Sequence, residues 1–177
     1  MKNKALQIQD FQGCFVPVIT PMTKAEEIDY PKLESIIEDL IAAGVDGIVP
    51  CATTGQSTTL SHDEHAALAE RVCSLVHGRT KLIVYAGSNS TREAIALSRS
   101  VEERIGPSTL LHVTGYYNCP PQTGLIKHFT AVTDALRHAE SNIVMYNVPS
   151  RTTSNMTAET AIELAKNPRI IGTKEAS

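Results

Sequence analysis

The chain has 177 residues, 42% of them hydrophobic and 20% charged, enough to bury a core within a single domain. Its formal net charge is -3, with acidic and basic residues interspersed, so nothing suggests a nucleic-acid or anionic-membrane surface, and small molecules are the expected partners. The first residues hold no apolar stretch long enough for a signal peptide or membrane span, which leads to an expected cytoplasmic location.

Short β-rich runs alternate with helical patterns, the signature of βα units around a parallel sheet. Strands are predicted over residues 14–19, 47–50, 81–86, 109–114, 143–147 and 170–174. After the first, Leu33, Ile36, Ile37, Leu40 and Ile41 share one helix face, with Asp29 and Pro31 to open the helix and Gly44 to close it. The second helix is predicted to start at Ser61 and the third at Ser90, each with a capping box completed by Glu64 or Glu93. The fourth presents Leu125, Phe129, Val132 and Leu136; the fifth presents Ala158, Ala161, Ile162 and Ala165 before Asn167-Pro168 ends it. Cys14, Cys51, Cys73 and Cys119 form no C-x-x-C pair, which argues against a zinc site or disulfide framework and for reduced, semi-buried thiols.

Five βα units and a sixth strand resemble three-quarters of a (β/α)8 TIM barrel, which ordinarily takes ~250 residues. A doubly wound sheet is the alternative, but no G-x-G-x-x-G follows the first strand. Residues 1–177 therefore read as one partial barrel domain without its last two βα units and C-terminal helical region. In such a fold the functional groups collect where strands end. Thr53-Thr54-Gly55, Tyr116-Tyr117-Asn118, Tyr146 with Arg151, and Lys174 all fall on that rim.

Lys174 ends the apolar run Ile170-Ile171-Gly172-Thr173. Loss of solvation at the end of a buried strand lowers an ammonium pKa and frees the neutral amine that attacks carbonyls. A strand-end lysine with its head in water is the plainer alternative. His62 and His65 lie three apart on one helix, but H-E-x-x-H is not matched in spacing or in the place of its glutamate, so no metal is expected.

The ordered set Thr53-Thr54-Gly55, Leu60-Ser61-His62-Asp63-Glu64-His65, Thr114-Gly115-Tyr116-Tyr117-Asn118, Tyr146-Asn147-Val148-Pro149-Ser150-Arg151-Thr152 and Ile171-Gly172-Thr173-Lys174-Glu175-Ala176 resembles the pyruvate-dependent class I aldolase family that contains dihydrodipicolinate synthase and N-acetylneuraminate lyase. The double threonine and Arg151 are similar to the synthase branch. The resemblance implies that Lys174 forms an imine with pyruvate and that the derived enamine adds to aspartate semialdehyde. Ring closure then gives 4-hydroxy-tetrahydrodipicolinate, toward diaminopimelate and lysine. It implies Tyr146 as proton carrier with Thr54 and Tyr117 as its relay. Tyr117 would serve a neighbouring subunit's site in a homodimer or homotetramer. Arg151 is implied to hold the semialdehyde carboxylate, and Thr53 with Thr54 the pyruvate carboxylate. No cofactor is implied. An L-lysine effector is implied at Ser57, His62, His65, Asn89, Glu93 and Tyr116.

Three positions depart from that pattern: Gln56 in place of glutamate, Gly115 in place of proline, which is expected to loosen the loop aiming Tyr117, and Thr153 in place of glycine. An open six-stranded barrel would also expose two strand edges and part of its core, and aggregation is expected of that arrangement. Two other readings stay open: a sibling lyase or aldolase acting on a 2-keto-3-deoxy sugar acid or N-acetylneuraminate, and an inactive truncated remnant.

Overall fold

The computed structural model describes residues 3–177. In chain order it contains β1 (Phe15–Pro17), α1 (Tyr30–Ala42), β2 (Gly47–Val49), α2 (His62–Val76), β3 (Lys81–Leu82), β4 (Val84–Tyr85), α3 (Thr91–Ile105), β5 (Thr109–Val113), α4 (Gln122–Ala135), β6 (Asn142–Asn147), α5 (Pro149–Thr152), α6 (Ala158–Leu164) and β7 (Ile170–Glu175). All five pairings between these strands are parallel. Their order is β1-β2-β3 and β4-β5-β6-β7.

The third predicted strand is broken at Ile83. Its first half pairs with β2 and its second half with β5. The Ile83 and Tyr85 amides still donate to the Ile48 and Pro50 carbonyls at 3.1 and 3.3 Å, so the two sheets are continuous across the break. Six strand positions thus curve side by side with helices outside, as the partial barrel predicts.

Local sequence accounts for most helix starts. Asp29 accepts from the Lys32 amide at 2.9 Å and opens α1. Ser61 and Glu64 form the reciprocal capping box of α2. The box expected at α3 is only half formed. Ser90 accepts from the Glu93 amide, whereas the Glu93 carboxylate takes the Ser88 hydroxyl at 2.8 Å, and that hydroxyl in turn accepts from the Ser90 amide.

Leu125, Phe129 and Val132 of α4 are fully buried, with Leu33, Ile37, Ile48, Leu110 and Ile143 in the same core. The face predicted for α6 is rotated: Thr160 and Leu164 are buried, while Ile162 is 67% exposed. Thr160 and Leu164 stand four apart and form the stripe that can meet a neighbour, which the alanine-rich reading passed over. The thiols are not uniformly semi-buried either: Cys14 and Cys119 are exposed, Cys51 is buried and Cys73 is intermediate.

Candidate active site

Register and alternation decide which side chains share the inner face. Tyr85 of β4 pairs with Leu111 of β5, Val113 with Tyr146 of β6, and Tyr146 with Lys174 of β7. Paired residues of neighbouring strands point to the same side. A register shift near Ile143 and Val144 brings Lys174, instead of Thr173, opposite Tyr146. The Lys174 Nζ lies 4.3 Å from the centroid of the Tyr146 ring. Half-burial of Lys174 holds its ammonium below the ordinary lysine pKa.

A cavity of about 160 Å³ lies against Val113, the strand partner of Tyr146, and is lined by Thr53, Ser57, Thr58, Tyr85, Val113, Tyr116, Val148, Arg151 and Thr152, with neither Tyr146 nor Lys174 in its lining. It brings two predicted substrate-binding residues, Thr53 and Arg151, to one wall. Thr53 lies in a short 3-10 turn, Thr53–Gly55, which folds tightly because Gly55 sits against the Val18 carbonyl and Thr20. A side chain at Gly55 would come within 3.0 Å of that carbonyl. Thr20 donates to the Gly55 carbonyl at 2.8 Å and fixes the turn. Arg151 belongs to α5, whose Pro149 presets the first turn and whose end at Thr153 is left-handed.

The relay expected from Tyr146 through Thr54 to Tyr117 is not joined by hydrogen bonds among the described residues. Thr54 is exposed, and Tyr117 is 91% exposed with φ at 67°. The Gly115 that was expected to loosen this loop has a packing reason: a Cβ there would meet the Pro120 ring at 2.6 Å. The Tyr116 amide donates to Asn89 Oδ1, and Asn89 Nδ2 donates to Asn118 Oδ1, both at 2.8 Å, so the loop is pinned to the start of α3.

The residues implied for an effector fall into different surroundings. Ser57 and Tyr116 line the cavity. His62 is exposed on the first turn of α2, and Glu93 is engaged with Ser88. His65 is 2% exposed and donates from Nε2 to the Tyr85 carbonyl at 2.6 Å, with burial holding its imidazole below the ordinary pKa. Its ring braces the strand that carries Tyr85. Among the described residues no group of three or more His, Cys, Asp or Glu is placed to hold a metal ion, and no helix is long and apolar enough to cross a membrane.

Two residues escaped the sequence reading. Asn147, 1% exposed, donates to Asn155 Oδ1 at 2.8 Å and to both Glu175 oxygens at 3.1 and 3.0 Å, and accepts from the Met156 amide at 2.9 Å. It ties β6 to β7 one residue beyond the Tyr146–Lys174 pair. Those bonds, with the amides of Ala176 and Ser177, hold the Glu175 carboxyl below its usual range. Tyr85 is the other. Its phenol is pushed up by burial, then by the neighbouring Tyr116 and Tyr146 phenols, and the Ser57 hydroxyl opposes the rise. A tyrosine amid Leu82, Ile83 and Val84 was the available signal.

A family model described as "Dihydrodipicolinate synthetase family" matches residues 10–177. The chain belongs to that family. Among its relatives is a 4-hydroxy-tetrahydrodipicolinate synthase of Acidiphilium cryptum, 44% identical over 94% of this chain and 56% of the relative. The chain spans about half the length of the curated relatives it matches. The crystal structure of the chloride-inhibited dihydrodipicolinate synthase from Acinetobacter baumannii, complexed with pyruvate, superposes with a TM-score of 0.89 at 38% identity, covering 94% of this chain and 56% of that one. The enzyme from Cyanidioschyzon merolae, solved with lysine bound, superposes with a TM-score of 0.86 at 40% identity, over 93% and 56% of the two chains. The partial-barrel reading and the family resemblance both agree with these likenesses.

Proposed function

We propose that this chain carries the Schiff-base half of a 4-hydroxy-tetrahydrodipicolinate synthase site. The observation that supports it most is the half-buried Lys174 amine lying over the ring of Tyr146, whose strand partner Val113 lines a cavity together with Thr53 and Arg151. The neutral amine attacks C2 of pyruvate; loss of water leaves an iminium whose positive nitrogen draws electrons from C3. A C3 proton then departs and the enamine forms. Its C3 adds to the aldehyde carbon of aspartate semialdehyde, which takes up a proton as the new hydroxyl. The substrate's own amine then displaces Lys174 from C2, closing the ring and restoring the free enzyme. The balance is one pyruvate and one semialdehyde giving one cyclic product and one water.

Tyr146, whose ring centroid lies 4.3 Å from the Lys174 amine, carries the C3 proton in this reading. Arg151 offers a bidentate fork for the semialdehyde carboxylate, and Thr53 and Thr54 offer donors for that of pyruvate. Tyr117, projecting outward, is suited to serve a second copy of the chain, and activity then depends on a dimer or higher oligomer. Ser57, His62, Asn89, Glu93 and Tyr116 are the residues through which L-lysine would be sensed, with His65 acting from behind the cavity wall.

Borohydride reduction in the presence of pyruvate tests the reading. A covalent three-carbon adduct on Lys174, absent in Lys174→Ala, is the expected result. A folded protein that stays unmodified overturns it.

A further inference from the structure

Tyr85 occupies an unusual place for a core aromatic. It is 5% exposed, yet its ring lines the cavity with Ser57, Tyr116 and Arg151, and its phenol has the Tyr146 phenol as a neighbour. Its backbone is fixed from two sides: the amide donates to the Pro50 carbonyl at 3.3 Å and the carbonyl accepts from His65 at 2.6 Å. The ring tip is closely packed as well. It passes over Gly87, where a Cβ would come 3.0 Å from both Cζ and the hydroxyl oxygen. Gly87 therefore leaves the space through which the ring reaches the rim of the barrel. A buried ring packed this closely cannot swing aside at low cost, because each alternative rotamer must displace packed neighbours.

The cavity left in front of this ring is small. At about 160 Å³ it holds about five water-sized volumes of ~30 Å³ each. Arg151, proposed above to hold the carboxylate of the acceptor, stands in the same lining, so an acceptor anchored there meets the Tyr85 ring. We infer that Tyr85 is the specificity-determining wall of this site, limiting the aldehyde acceptor to short chains by the volume of its ring. The inference rests on the Schiff-base reading above and adds the acceptor's size class to it. The ring, more than the hydroxyl, does the excluding, so removal of the hydroxyl alone leaves the size limit in place.

The test uses the whole chain with pyruvate as donor and an acceptor series: aspartate semialdehyde, erythrose and N-acetylmannosamine. Lys174 trapping by pyruvate and borohydride is measured first on every protein. Unmodified Tyr85 protein is expected to favour the semialdehyde over N-acetylmannosamine by at least about a hundredfold in kcat/KM. Tyr85→Ala is expected to narrow that ratio by at least about tenfold, since a lost ring's worth of contact or clash is of that order. Tyr85→Phe is expected to keep the original ratio. Comparable use of long and short acceptors by the unaltered protein overturns the inference without any variant. So does an unchanged ratio in Tyr85→Ala, or a shift in Tyr85→Phe as large as that in Tyr85→Ala. Tyr85→Leu, which retains more of the core packing, carries the same comparison if the alanine variant does not fold. Absence of trapping on the folded, unaltered protein refutes the Schiff-base reading instead, so the two failures are distinguishable.

Discussion

Acidification should unfold this protein in a way that one buried histidine can be shown to share. His112 of β5 is 0% exposed, with Nε2 3.2 Å from the Ser98 hydroxyl and no hydrogen-bond partner for Nδ1 among the described residues. Burial, with the nearby His128, pushes its pKa down to about 3. In the unfolded chain the same imidazole takes up a proton near ~6.5. Between those values the unfolded state binds one proton more than the native state. The stabilisation from a neutral His112 is therefore complete above ~6.5 and declines as the pH drops, by about 1.4 kcal/mol per unit. At about pH 5 the loss is roughly 2 kcal/mol. His65 and His128, also held low by burial, act in the same direction, so the whole protein should lose more than this. His112→Leu isolates the single contribution, since Ser98 keeps its 2.6 Å bond to the Ala94 carbonyl when the imidazole is gone. Urea unfolding of both proteins at about pH 7.5 and about pH 5 should show the variant losing about 2 kcal/mol less than the unaltered chain. Equal losses would refute the assignment. The comparison stays clear of Glu38, Glu64, Glu159 and Glu175, whose carboxyls titrate below the ordinary carboxylate range.

Other consequences are simpler to state. Arg151→Ala should raise the KM for aspartate semialdehyde about tenfold or more while moving the pyruvate KM little, because a bidentate carboxylate partner is lost on one substrate only; equal effects on both would contradict its role. Asn147→Ala leaves the buried Met156 amide without its acceptor and Glu175 without its side-chain donor, so a loss of about 2 kcal/mol in urea unfolding is expected. Ser61→Ala removes the hydroxyl that accepts from the Glu64 amide while leaving the backbone amide's bond to the Glu64 carboxylate, and should cost about 1 kcal/mol, read as a fall in Tm; an unchanged Tm would show that the hydroxyl does not hold the helix start. Titration with L-lysine should give heat that Glu93→Ala removes, and a silent titration of active enzyme would exclude the effector site.

The sequence revealed those parts of the fold that depend on neighbours along the chain. Asp29 and Ser61 are read from one turn of helix each, and the apolar runs that became β5 and β6 mark strands buried on both faces. The misreadings arise where a side chain answers to something distant. Glu93 had the correct spacing for a capping box, but the Ser88 hydroxyl from the preceding loop competes for its carboxylate. Ile162 followed the alanine stripe, but α6 turns Thr160 and Leu164 inward instead.

The candidate site shows the same division. Lys174, Tyr146 and Arg151 could be singled out because a charge, a phenol and a guanidinium at strand ends stand apart from turn-forming residues. Which of them touch is a matter of register, set by the shift between β6 and β7 that places Tyr146 against Lys174. Tyr85 lay inside an apolar strand and looked like ordinary core. Its part in the site depends on the missing side chain at Gly87, the Pro50 carbonyl and a histidine from α2, drawn from three separate regions of sequence. A residue whose role comes from the space that others leave open carries no local pattern. Such residues are also the ones on which acceptor choice can change without disturbing Lys174, because the amine proposed to form the imine and the ring proposed to limit its acceptor stand on different strands.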